Sequence, residues 1–250
     1  MASNIGPDAR IAFLDTVDST NAEALRRARA GERGPLWVVA RTQSAGRGRR
    51  GRAWESPVGN LHATLILTDP APAAAAPQLG FVAGLAVHDA AVSAAPALAA
   101  RLALKWPNDL LCGARKIAGI LIEGEGTPVT VAVGIGVNCR CHPDATEFPA
   151  TDFAAEGADV DAGALIERVA GAMQERLAQW NRGDGFAEIR AAWLARAHGL
   201  EQPIRVRLPE REATGCFETI DDTGRLMLRI PDGRLEAIAA GAVFPFERTV

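Results

Sequence analysis

The sequence predicts an α+β fold in two parts, a larger mixed domain over residues 1–199 and a compact all-β domain over 200–250. Three observations carry this reading. Through the larger part, short runs of β-formers alternate with stretches of helical apolar spacing. Within it, Lys116–Gly124 (KIAGILIEG) and Pro128–Asn138 (PVTVAVGIGVN) are nearly continuous apolar runs joined by a short Gly-containing turn, a central hairpin. Beyond Gly199 the texture changes to short alternating strands separated by PE, DDTG and PDG turns, the pattern of a small barrel or meander.

The elements follow in order. Ile11–Val17 (IAFLDTV) and Leu36–Thr42 (LWVVART) read as strands bracketing a helix. That helix, TNAEALRRARA, opens with Thr20 three residues before Glu23, the spacing at which each side chain caps the other's backbone N–H. Ser19 and Thr20 either only start the helix or also offer a polar binding edge of hydroxyls and free N–H groups. Asn60–Leu67 (NLHATLIL) reads as a buried strand, with His62 half-buried on it, and Asp69–Gln78 as a Pro/Ala-rich surface connector. Small apolar residues at helical spacing run from Gln78 to about Ala95, and Leu102–Trp106 (LALKW) is a further strand. After the hairpin, a Pro- and Gly-punctuated loop from Cys141 to Asp161 leads to helices over Ala162–Asn181 and Phe186–Ala197. The strands of the smaller domain are IRVRL, REATGCFETI, RLMLRI and RLEAIAA.

Composition narrows the classes. Hydrophobic residues make up 48% and charged residues 23%, a globular balance that argues against wholesale disorder. The net charge of −3 differs from the basic balance usual in dedicated DNA-binding domains. The chain shows no signal-peptide pattern, and its richest apolar stretch, around Gln78–Val92, carries His88 and Asp89. A cytoplasmic protein is expected. Cys112, Cys139, Cys141 and Cys216 are too sparse for a disulfide framework. CRCH at Cys139–His142 resembles half a metal site, but no second ligand cluster follows, and reduced thiols are expected.

Against this acidic background Gln43–Trp54 (QSAGRGRRGRAW) stands out, with four arginines and three glycines in Gly46–Arg52. Such a segment has no apolar period, and its arginines repel one another. It calls for a partner outside the chain, nucleic acid or a phosphate-bearing small molecule. It lacks the Lys-Ser/Thr and helix start of a Walker loop. Three further polar clusters lie at strand ends or loops. Asp18–Asn21 is DSTN; KWPND…RKIAGI brings Lys105, Asn108, Asp109, Arg115 and Lys116 together; GIGVN holds Gly134, Gly136 and Asn138. The glycines of GIGVN serve either close strand packing or cofactor contact. Lys116 opens an apolar strand beside a small Ala-Gly step, and is either a solvated strand-end lysine or a cation projecting next to a surface a ligand can approach. Lys105 sits in an apolar frame of Leu104 and Trp106.

In this order and spacing, DSTN, QSAGRGRRGRAWESPVGNL, KWPNDLLCGARKIAGILIE and VGIGVN resemble the biotin–protein ligases, over about Asp18–Asn138 with weaker agreement through the β-module. The resemblance is to the monofunctional biotin–[acetyl-CoA-carboxylase] ligases. It implies a mixed-sheet catalytic domain of the biotin/lipoate ligase, class II synthetase-like type over 1–199 and an SH3-like barrel over 200–250. The implied reaction has two steps: biotin and ATP give biotinyl-5′-AMP, and a lysine of a biotin carboxyl carrier protein then displaces AMP. The implied companions are biotin, ATP and Mg²⁺ held mainly by the ATP phosphates. Neither DNA nor membrane is expected, and a homodimer is left open. About 17 residues precede DSTN, so the helix-turn-helix repressor domain of some members is not carried over.

The same resemblance implies roles by residue. Lys116 bridges biotin's carboxylate and the α-phosphate. Arg47 and Arg49 cover the adenylate and exclude water, on a loop expected to be mobile until the adenylate's charges order it. Ser19, Thr20, Asn21 and Gln43 meet biotin, with Gly46 and Gly119 allowing close approach. ATP falls to Arg47, Arg49, Arg50, Lys105, Asn108 and Lys116, with Trp54 near the adenine and Asn138 at its edge. Lys105 and Asp109 organise phosphate, Mg²⁺ or the incoming lysine. A lipoate or octanoate ligase is the rival within the chemistry, but it is expected to lack GRGRRG and KWPND. A nucleic-acid-binding protein with an RG patch is the rival outside it, and interleaved aromatics are missing. A catalytically silent binding module has no support, because the motif's lysines, arginines and asparagine are all present.

Overall fold

A computed structural model describes residues 10–246. The outer ends of the two expected domains, 1–9 and 247–250, lie outside the described residues. Seven strands form the first sheet: β1 (Arg10–Val17), β2 (Leu36–Gln43), β3 (Leu61–Thr68), β4 (Leu102–Lys105), β5 (Asp109–Cys112), β6 (Arg115–Glu125) and β7 (Thr130–Val137). Their order is β1-β2-β3-β7-β6-β5-β4. β1 and β2 are parallel, joined through α1 (Thr20–Arg29), and every other pair is antiparallel, so the sheet is mixed.

Both faces of the central strands are covered, which explains their unbroken apolar runs. Trp37 and Val39 of β2, with Leu61, Ala63 and Leu65 of β3 and Val131, Val133 and Ile135 of β7, face the main core. The alternate residues Leu36, Val38, Ile66 and Ala132 meet Ala24 and Leu25 of α1 in a smaller core on the other face. On the main-core side lie α2 (Leu79–Ala94), α3 (Ala162–Trp180) and α4 (Phe186–Leu194). α2 is apolar almost all round because the sheet covers one side and α3 and α4 the other. No helix among the described residues is long and apolar enough to cross a membrane.

The second sheet holds β8 (Pro203–Arg207), β9 (Glu212–Ile220), β10 (Leu226–Arg229), β11 (Leu235–Ile238) and β12 (Ala242–Pro245) in the antiparallel order β11-β10-β9-β8-β12. Its buried Val206, Phe217, Leu226 and Leu228 run on into the main core. The Trp106 indole N–H donates to the Gly224 carbonyl at 3.1 Å, tying the KWPND turn to this sheet.

Three local expectations change. The cap of α1 is Ser19, whose hydroxyl accepts from the Ala22 N–H at 3.5 Å, and not Thr20. Thr20 is diverted because its N–H and hydroxyl both meet Gln43 Oε1, while Glu23 pairs with Arg26 and Arg27. α4 stops at Leu194 instead of Ala197, because β4 captures the following chain: Leu104 N–H donates to the Arg196 carbonyl and His198 N–H to the Leu104 carbonyl. Strand β5 is absent from the expectations, since four residues between a Pro turn and Gly113 are too few to display a period.

Candidate active site

On the face that carries α1, the strand residues shrink toward the end of β7. Gly134 and Gly136 alternate with the large Val133, Ile135 and Val137 of the opposite face. A Cβ on Gly134 would lie 2.3 Å from Asn21 Oδ1, and one on Gly136 would lie 2.5 Å from Trp54 Cε2. Gly119 on β6, paired with Gly136, would place a Cβ 3.1 Å from the Trp54 ring and 3.0 Å from Lys116 Nζ. These glycines therefore make room for side chains and form the floor of a cleft of about 470 Å³. The arginine loop, the Pro143–Phe148 segment and Gly241–Phe244 of the second sheet wall it.

One end of the cleft is a chain of hydrogen bonds. Asn21 Nδ2 donates to Glu123 Oε2 at 2.8 Å, and the fully buried Thr64 hydroxyl donates to Asn21 Oδ1 at 2.6 Å. Thr64 Oγ1 is also 2.9 Å from Thr20 Oγ1. The Thr20 N–H and hydroxyl meet Gln43 Oε1 at 2.8 and 3.1 Å, and Gln43 Nε2 donates to Ser56 Oγ at 2.8 Å. Each group's orientation is fixed by the next, so this end presents an ordered set of donors and acceptors. Ser19 and Gly46 complete this end. A Cβ on Gly46 would strike the Trp54 carbonyl at 2.5 Å. Asn21 is 3% exposed and braces the network more than it projects.

The other end is a charge cluster. Asp109 begins β5 opposite Gly119, with Lys116 Nζ 2.6 Å from its Oδ1 and Lys105 Nζ 3.9 Å from its Oδ2. The Lys116 contact is an ion pair without a well-directed hydrogen bond. Lys105 is 6% exposed, its Nζ 3.4 Å over the Phe148 ring. Burial pulls its pKa from the ordinary lysine value to about 8, Asp109 offsetting only part and Lys116 adding to the fall.

The arginine loop, expected to be mobile until the adenylate orders it, finds partners within the chain itself. A bridge joins Arg47 to Ala53, and Trp54 N–H donates to the Gly46 carbonyl at 2.9 Å. Arg47 pairs with Glu123 at 3.3 Å, Arg52 with Glu147 at 3.0 Å, and Glu147 also with Arg207 of the second sheet. Arg49 donates to Asn108 Oδ1 at 3.1 Å and to the Gly241 carbonyl at 3.4 Å, and burial lowers its pKa. Arg50 is exposed at the left-handed corner of the turn. Trp54 lies on the glycine floor with its indole N–H buried and unpartnered, 5.3 Å from Lys116 Nζ to ring centroid.

Of the residues singled out from the sequence, Gly46 lies directly behind this cleft and Asp18 and Arg115 point elsewhere, Asp18 to Arg26 and Arg115 to Glu156, while the residues given biotin or ATP roles other than Gly46 all line it. Asn138 is 3% exposed, its amide donating to the Thr151 carbonyl at 3.0 Å, so it also ties the loop after β7 to the sheet. His62 is fully buried rather than half-buried: it faces the floor beside Gly136 and accepts no role beyond its contact with the Pro57 carbonyl. Ser56, Thr64, Glu123, Glu147, Phe148 and Phe244 were not anticipated. Period-two alternation on β3 and β6 puts Thr64 and Glu123 on the cleft face, a signal present in the sequence. Nothing local marks Phe148 or Phe244. Among the described residues no group of three or more His, Cys, Asp or Glu could hold a metal, and burial pushes Cys139 up to about 12.

Residues 13–139 match the model of the biotin/lipoate A/B protein ligase family, and residues 199–244 match that of the biotin protein ligase C terminal domain. The chain is 48% identical over 241 residues to a biotin–[acetyl-CoA-carboxylase] ligase of Paracoccus denitrificans, covering 93% of this chain and 99% of the relative. It is 35% identical to one of Mycobacterium tuberculosis, covering 90% and 85%. Among solved structures, a biotin protein ligase from Aquifex aeolicus in complex with biotin and ATP gives a TM-score of 0.79 at 26% identity, covering 94% of this chain and 97% of that one.

Proposed function

The chain belongs to the biotin/lipoate A/B protein ligase family, and from that premise we propose how its cleft divides the work. The protein activates biotin with ATP and joins it to a biotin carrier of acetyl-CoA carboxylase. In the first step a biotin carboxylate oxygen attacks the α-phosphorus, a P–O bond forms, and pyrophosphate leaves. In the second, the carrier lysine's amine attacks the acyl carbon of the mixed anhydride, an amide forms, and AMP leaves.

The Thr20–Gln43 end holds biotin's ureido ring, whose two N–H groups and one carbonyl need oriented partners. Lys116, at the charged end, lies between the two reacting anions and reduces the repulsion that separates them. Asp109 anchors Lys116 before the anions arrive and is the carboxylate placed to accept the proton that the carrier lysine loses. Trp54 and Asn138 lie where the adenine binds, and Arg47 and Arg49 close the loop over the anhydride and exclude water. Mg²⁺ bound with ATP would supply charge neutralisation on the phosphates beside Lys105 and Asp109.

The observation that carries this reading is the pairing, in one cleft, of a polar recognition end with the Lys105–Asp109–Lys116 cluster. ATP–pyrophosphate exchange, run separately with biotin, lipoate and octanoate, tests it. Exchange with biotin alone is expected. Exchange driven by lipoate or octanoate would overturn the assignment of the Thr20–Gln43 end.

A further inference from the structure

Glu156 is a carboxylate with no place in the cleft, yet its side chain is only 2% exposed. Arg101 meets it at 2.5 Å, Arg115 pairs with its other oxygen, and the Thr151 hydroxyl donates to it at 2.6 Å. Two guanidiniums and a hydroxyl offset the cost of burying the charge. Burial alone raises the pKa of such a group, but the Thr151 and arginine contacts outweigh it and hold the carboxyl below its usual range.

Thr151 is fully buried, and its backbone is where this clamp meets the cleft. Its N–H donates to the Lys116 carbonyl at 2.9 Å, and the Lys116 N–H donates to the Pro149 carbonyl at 2.7 Å. Residues 149–151 thus run parallel to the start of β6 and meet it at one bridge, Lys116 to Ala150. The Thr151 carbonyl also accepts the Asn138 amide at 3.0 Å. Phe148, the ring over Lys105, is the residue just before this segment.

We infer that Glu156 is a positioning residue for adenylation, holding Thr151 so that Thr151 fixes the backbone of Lys116 and the amide of Asn138. Arg115, the first residue of the Arg-Lys pair in the sequence motif, serves this clamp and not the cleft. The inference rests on the role proposed for Lys116. Positioning matters because a displacement of about 1 Å at a reacting group can cost roughly a hundredfold in rate. Biotin's ring is held by α1 and β2, which Glu156 does not touch.

Glu156→Gln and Thr151→Val test this in steady-state pyrophosphate exchange, with thermal melts to establish that each variant folds. In each, kcat is expected to fall by about tenfold or more while KM for biotin stays within about twofold, the signature of a lost transition-state contact. The double variant is expected to fall no further than the worse single one, since both changes break one chain of contacts. A kcat within twofold of wild type in a folded variant would overturn the inference, as would additive losses or a KM for biotin that rises with the fall in kcat. Should Glu156→Gln not fold, the milder Thr151→Val decides alone. Lys116→Ala, run alongside, separates two failures: near-normal exchange there removes the role of Lys116 itself, whereas lost exchange there with unaffected Glu156 and Thr151 variants removes only the positioning.

Discussion

Lys105 links the electrostatics of the cleft to the stability of the whole protein. The residue is 6% exposed, its ammonium capped by Phe148 and 3.9 Å from the Asp109 carboxylate, and its pKa falls from 10.5 to about 8, chiefly through burial. The folded protein therefore binds this proton more weakly than the unfolded chain. The cost is fully present below pH 8 and is relieved as pH rises from 8 to 10.5, where the unfolded chain still holds the proton and the folded one releases it. A span of about 2.5 pH units corresponds to on the order of 3 kcal/mol. Lys105→Met keeps the stem and removes the charge, at the loss of a cation–π contact worth about 0.5–2 kcal/mol. Urea unfolding of both proteins from pH 7 to 10.5 reads the difference, and groups common to both, including the buried thiols, cancel. The Met variant is expected to be the more stable at pH 7, by about 1–3 kcal/mol, with its advantage shrinking steadily above pH 8. A stability difference independent of pH would refute a charged lysine buried at cost.

Gly136→Ala would press a methyl group into the Trp54 ring at 2.5 Å, so the indole should shift, tryptophan emission should change, and KM for ATP should rise; unchanged emission and KM would contradict the glycine floor. Arg49→Ala removes the ties to Asn108 and Gly241, and mass spectrometry of the filtrate should then find free biotinyl-AMP during turnover, whereas full retention of the adenylate would speak against loop closure through Arg49. Asp18 is held at about 2 by the Arg26 hydrogen bond and the Ser19 N–H, so its contribution to stability is present above pH 3.8 and lost as pH falls toward 2. Acid unfolding of Asp18→Asn should lack that component, and identical acid profiles would remove it.

Much of the architecture is legible because burial on both faces writes itself as continuous apolar runs, as in LHATLILT and TVAVGIGV. The motif residues were legible for a related reason. Glycines at 119, 134 and 136 and cations at 105 and 116 interrupt those runs where a core has no use for them. What stayed hidden depends on contacts distant in sequence. The capping choice between Ser19 and Thr20 is decided by Gln43, 23 residues on. The arginine loop finds its partners in Glu123, Glu147 and Gly241, each far along the chain. Thr151 and Glu156 sit in a stretch whose Pro and Gly content reads as plain loop, although it pairs with Lys116. Composition reveals that a segment needs partners, but only the fold shows which ones it finds.

The most direct measurement is biotin-dependent ATP–pyrophosphate exchange by wild type and by Lys116→Ala, each shown to be folded by its thermal melt. Robust exchange in the wild type and none above background in the folded variant is the expected result. Near-normal exchange by Lys116→Ala would contradict the central claim that this cation joins biotin's carboxylate to the α-phosphate.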